Sequence, residues 1–277
     1  MIPLRDYRPS RTFPVVTVAL IILNLVVFLY QGYLRTQGTA LNDGIAWQAR
    51  GLAPPAFDPR SYQTHLLAGG ASRLYPLSRD DYFVVQYALV PAEFLKGVDL
   101  PPTIPIPIWF TLITSMFLHG GLVHLLGNML YLWIFGDNVE DAMGHARFLG
   151  FYLVCGVAAS FAQIAISPGS GIPQIGASGA IAGVLAAYFM LFPQSRVLTL
   201  IPIFFFIRLA AVPAVFLLGF WFILQVLSGA GSFGTAGGVA WFAHIGGFLA
   251  GGLLVFLFKR RGVPVVLWQM LRRGRWY

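Results

Sequence analysis

The sequence predicts an all-α integral membrane protein, a six-helix bundle with a long first loop, on three observations. Of its 277 residues 57% are hydrophobic and only 10% charged, where soluble domains carry about 25% charged residues. Long apolar runs recur along the chain, and the basic excess sits at its two ends. So apolar a chain cannot cover itself with polar surface, and its solvent is mostly lipid. A β-barrel would instead show short alternating segments.

The ends set the parity. Residues 1–13 carry Arg5, Arg8 and Arg11 against Asp6, and residues 259–277 carry Lys259, Arg260, Arg261, Arg272, Arg273 and Arg275 with no acid; together they supply the whole net charge of +8. Positive flanks face the cytoplasm, so both termini are expected there and the number of spans is even. The expected setting is a cell membrane, with both ends of the chain on its inner side. Charge that flanks membrane segments makes no stripe for nucleic acid, and no nucleic-acid partner is expected. Cys155 is alone, which excludes disulfides and thiolate metal clusters.

The first span is 14–33, too long for a removable signal's apolar core. An external loop, 35–105, follows with six basic and six acidic residues and many Gly and Pro. Residues 106–136 exceed one upright helix of about 20 residues. Gly120-Gly121 divides them into an interfacial helix, 107–119, and a second span, 121–137. The third span is 147–166. Pro168, Gly169, Gly171 and Pro173 make the next loop, and the fourth span runs from Ser178 to before Pro193. Residues 197–210, interrupted by Pro202 and Arg208, read as an interfacial lead-in to a fifth span at 211–228. The Gly-rich stretch Ser228 to Gly238 precedes the sixth, 240–258. The domain is thus 14–258, between a cytoplasmic segment 1–13 and a basic tail 259–277. Gly179 and Gly183, like Gly247 and Gly251, are four apart, a spacing that lets helices approach closely in lipid. Helices four and six are therefore expected to touch.

Polar residues at membrane depth need a partner or a task. The candidates are Asn24, His119, His124, Asn128, Gln163, Ser178, Gln225 and His244. His124 and Asn128, at i and i+4, share one face of the second helix. All ten acidic residues precede residue 142, and none falls inside a predicted span, Asp137 standing at the very end of the second. That excludes a buried carboxylate pair, and the His-Glu-x-x-His zinc motif is missing too. A triad acid could come only from a loop. What remains is a dyad, with Ser178 attacking and His244 taking its proton.

Gly176-Ala177-Ser178-Gly179 matches the Gly-x-Ser-Gly motif of rhomboid proteases. His124-x-x-x-Asn128 resembles their second-helix residues, and Ala243-His244-x-x-Gly247-x-x-x-Gly251 their sixth-helix motif. No motif residue departs from the pattern, and the order and six-span plan resemble the minimal prokaryotic form. The resemblance implies a serine endopeptidase that cleaves transmembrane protein substrates within the lipid bilayer, without cofactor or metal. It assigns the oxyanion to His124, Asn128 and the Ser178 backbone N–H. Water, which lipid excludes, is expected to enter through a polar cavity open to the outside and lined by these residues, with His119, five residues before His124, helping to hold it. Asp137, Glu140, Asp141 and Arg147 are expected to form a cytoplasmic loop network, Glu140 and Arg147 resembling a family loop motif. Trp47, Tyr82 and Trp109 read as interfacial anchors, and His65 and His145 as ordinary loop residues. Two rivals are a transporter or channel lined by His119, His124 and His244, and a non-catalytic chaperone or adaptor of the same shape. The first wants internal repeats, which the sequence lacks.

Overall fold

A computed structural model describes residues 1–38, 78–97, 105–203, 206–232 and 239–273. Trp47, His65 and much of the expected 35–105 loop and of the Gly-rich stretch lie outside those residues.

Strand β1 (Ile2–Asp6) leads into α1 (Val15–Thr36). Two short helices follow, α2 (Arg79–Tyr87) and α3 (Pro91–Lys96). The expected interfacial helix is a series of short turns, Ile108–Phe110, α4 (Thr111–Thr114) and Ser115–Phe117. At the Gly120-Gly121 break the chain bends by 84° into α5 (Leu122–Met143). Helices α6 (His145–Ile166) and α7 (Ser178–Leu191) come next. Strands β2 (Arg196–Ile203) and β3 (Phe206–Pro213) precede α8 (Ala214–Gly231), α9 (Trp241–Phe258) and α10 (Val266–Arg273).

Helices dominate because lipid offers backbone N–H and C=O groups no partner, and a helix satisfies them within one segment. Among the described residues four helices, α1, α6, α8 and α9, are long and apolar enough to cross a membrane, or five spans if the bent pair ending in α5 is one. Their outer faces carry exposed apolar side chains such as Ile22, Val26, Leu29, Leu253 and Leu257. Helix α7 is shorter, with 14 residues, and packs against α5, α6, α8 and α9. At 1.5 Å per residue it reaches about 21 Å, less than a bilayer core of about 30 Å. Eleven of its residues, from Gly179 to Leu191, are buried, so its shortness is hidden among longer neighbours.

Two expectations are corrected. The fold is not all-α: residues 197–210, the expected interfacial lead-in, are most of a β2–β3 hairpin, which β1 extends to an antiparallel sheet ordered β1-β2-β3. The β-branched run Val197, Thr199, Ile201, Ile203 favours strand. Arg208 and the strand edges require an aqueous or interfacial setting, since open edges are not stable in hydrocarbon. Secondly, Asp137, Glu140 and Asp141 do not form a loop. They occupy the last turns of α5, which continues to Met143.

Glu140, 1% exposed, reaches the start of α1, where its carboxylate accepts from the N–H groups of Val16 and Thr17 and from Thr17 Oγ1 at 2.7–2.9 Å. It satisfies donors that a helix N-terminus leaves free. His145 Nδ1 lies 2.6 Å from Glu140 Oε1, at the start of α6 rather than in a loop, and Arg147 is exposed. The sheet, the α5–α6 junction and the chain after α9 gather at one end, where Arg260 N–H donates to Ala142 O and Tyr7 N–H to Arg196 O.

Candidate active site

The site forms at the opposite end, where α7 begins. Gly176 has φ +118°, in the region that favours glycine. A Cβ there would lie 2.8 Å from His124 Nε2. The glycine thus serves both the turn and the approach of His124. Upstream, Gly176 N–H donates to Ser115 O, and Gln174 exchanges backbone hydrogen bonds with Leu89, so the lead into α7 is tied on two sides. Ser178 opens the helix, whose first-turn N–H groups have no intrahelical acceptor and turn toward any developing negative charge.

Helices α7 and α9 meet backbone to backbone, as the glycine spacing predicted. A Cβ on Gly247 would strike the carbonyl of Gly179, and one on Gly251 that of Gly183. Side chains at these positions would hold the helices apart. With hydrogen there, His244 reaches across, its Nε2 2.7 Å from Ser178 Oγ. His244 is 9% exposed and Ser178 half-buried. The other imidazole nitrogen, Nδ1, lies 2.8 Å from Gln225 Oε1, contributed by α8.

The second-helix pair stands on the near side. Asn128 is buried, its Nδ2 2.9 Å from His119 Nε2. His119 packs edge-on against His124, with ring centroids 5.0 Å apart. His119 is itself held from α1: Gln31 Nε2 donates to its backbone O and Gln31 Oε1 accepts from its N–H. Gln31 also donates to Asp80, which pairs with Arg35 at 2.6 Å. A narrow cavity opens beside Ser178, lined by Ser115, Gly156, Ser160, Gln174 and Ala243 among others. Among the described residues no group of three or more His, Cys, Asp or Glu side chains could hold a metal ion.

All four predicted site residues therefore gather around the start of α7. The sequence named Gln225 as a buried polar residue without a role; only the packing of α8 on α9 puts it on the histidine. A lone glutamine carries no spacing motif that could have signalled this.

A helical membrane bundle with a serine hydroxyl and an imidazole in contact at its core defines the class: a polytopic membrane protein with the geometry of a serine nucleophile and its base. Comparison with known families makes this specific. Residues 107–261 match the rhomboid domain family model, more than half of the chain, and the protein belongs to the rhomboid family. The chain is 46% identical over 79 residues to the rhomboid protease GluP of Bacillus subtilis (strain 168), covering 28% of this chain and 15% of that protein. It is 30% identical over 169 residues to the presenilin-associated rhomboid-like protein, mitochondrial, of Homo sapiens, covering 58% and 42%. With RHOMBOID-like protein 6, mitochondrial, of Arabidopsis thaliana it shares 34% over 171 residues, covering 60% and 48%. The chain thus spans less than half the length of these relatives.

Proposed function

We propose that the protein is an intramembrane serine endopeptidase that hydrolyses a peptide bond in or near the transmembrane segment of a membrane-protein substrate. The observation that carries this reading is the 2.7 Å contact between Ser178 Oγ and His244 Nε2. A serine hydroxyl is a weak nucleophile until a neighbouring base removes its proton. His244 Nε2 takes that proton as Oγ attacks the scissile carbonyl. His124, the Asn128 amide and the Ser178 N–H donate to the oxyanion that forms. His244 then returns the proton to the leaving amine, and the acyl ester on Ser178 is released by a water that His244 activates in turn.

The same reading takes α1, α5, α6, α7, α8 and α9 as six spans, with 35–105 outside and both termini in the cytoplasm of a prokaryotic cell. The two ends of the described chain support it, since β1 and the segment after α9 lie at the same end of the bundle. The small residues Gly156, Ala159 and Ala243 around the cavity favour a small substrate side chain next to the scissile bond.

The test is cleavage of a single-span reporter protein in liposomes, together with labelling by a fluorophosphonate probe. Ser178→Ala and His244→Ala are each expected to lower turnover by about 10⁴-fold or more. Undiminished cleavage by Ser178→Ala would overturn the mechanism. Absent cleavage and labelling in the native chain, with client binding retained, would instead favour a non-catalytic adaptor.

A further inference from the structure

The hydrogen bonds of Gln225 fix the proton on His244 by elimination. One end of the Gln225 amide lies 3.2 Å from the backbone oxygen of Trp221, one turn earlier on α8. A carbonyl oxygen only accepts, so that end must be the NH₂ group. The opposite end is then the amide oxygen, and it lies 2.8 Å from His244 Nδ1. That oxygen also only accepts, so Nδ1 carries the hydrogen of a neutral imidazole. Nε2 is left with its lone pair, 2.7 Å from Ser178 Oγ.

The surroundings leave Gln225 this task. It is 7% exposed, on a helix whose other side chains at that depth are apolar. The rings of Trp221 and Trp241 lie 6.0 and 6.2 Å from the imidazole. His124 of α5 is the titratable side chain that acts on His244 from across the site. No carboxylate among the described residues is hydrogen-bonded to His244. We propose that Gln225 is the positioning residue of His244, holding the tautomer in which Nε2 is the base through an amide oxygen where serine hydrolases of the triad type use a carboxylate. The inference rests on the protease reading for its consequence, and on the amide's two contacts for its substance. Because Gln225 belongs to α8 and His244 to α9, separating these helices would break the contact and release the tautomer.

The kinetic test compares native protein with Gln225→Leu and Gln225→Glu. In Gln225→Leu, kcat and the fluorophosphonate labelling rate are expected to fall about 10- to 100-fold, with KM moving less than about threefold. Gln225→Glu keeps an acceptor on Nδ1, so labelling should stay within about tenfold of native, and its charge favours imidazolium. The acid limb of its pH–rate profile should therefore move to higher pH. Native rates in Gln225→Leu would overturn the proposal. So would a folded Gln225→Glu protein as slow as Gln225→Leu with an unshifted acid limb. A second measurement does not depend on activity: ¹⁵N spectra of histidine-labelled protein, with His244 assigned by its loss in His244→Ala. The expected result is the Nδ1–H tautomer in native protein and its loss in Gln225→Leu. An Nε2–H tautomer in native protein would overturn the proposal even if no substrate is cut. Failure of the protease reading alone would leave the native tautomer as expected while labelling is absent.

Discussion

Gly176 shows how a single atom governs the site. Its φ of +118° strains any residue with a Cβ, and that Cβ would meet His124. On the protease reading, Gly176→Ala is expected to displace His124, the proposed oxyanion donor, and lower kcat by about 10²-fold, as loss of one donor does. Steady-state cleavage and fluorophosphonate labelling would measure it; an unchanged rate would remove His124 from the oxyanion site. At the other end of the bundle Asp6 accepts from Tyr188 Oη and from Asn138 Nδ2. Burial, with some help from nearby Asp137, nevertheless pushes its carboxyl up to about 6. A folded pKa raised above the unfolded one gives a stabilising contribution that is complete below the unfolded value of 3.8. That contribution is lost as pH rises through about 6. The thermal midpoint in detergent, measured from pH 7 to pH 5, should rise more in native protein than in Asp6→Asn; parallel curves would count against this.

At the scale of elements, α5 does two jobs at its two ends. Its first turns carry His124 and Asn128, and its last turns carry the Glu140 carboxylate that caps α1. The second span expected from the sequence ends at 137 and leaves Glu140 in the loop beyond it, whereas α5 continues to Met143. In the folded chain the burial of Glu140 is offset by N–H donors and by His145. Glu140→Ala removes the acceptor from the buried N–H and hydroxyl of Thr17 and from the part-buried N–H of Val16, and is expected to cost about 1–3 kcal/mol for each buried group left unpaired. Thermal unfolding in detergent would read this as a lower midpoint, with Glu140→Gln in between. The interface of α7 and α9 was legible in advance, because small residues every four positions on two helices have one obvious use in lipid. The β2–β3 hairpin was not. A continuous apolar run reads equally as buried strand or interfacial helix until a partner for its backbone is known, and that partner, β1, lies nearly 200 residues earlier.

Taken whole, the molecule divides its tasks between two ends. The end holding the sheet joins the N-terminal strand, the α5–α6 junction, the hairpin and the chain after α9. The end holding the site is tied by Gln31, Asp80 and the Leu89–Gln174 bridge, so the chain around Asp80 and Leu89 braces the lead into α7. From the residues alone came the membrane class, the basic flanks, the break at Gly120-Gly121 and the Ser178, His244, His124 and Asn128 set. These follow from composition, hydropathic length and short motifs, which are local properties of the chain. The sheet, the buried cap at Glu140, the braces on Ser178 and the contact of Gln225 with His244 were decided only by tertiary structure. Each joins groups far apart in sequence, and the desolvation cost that makes a buried polar group exacting is met only by the partner that folding brings to it.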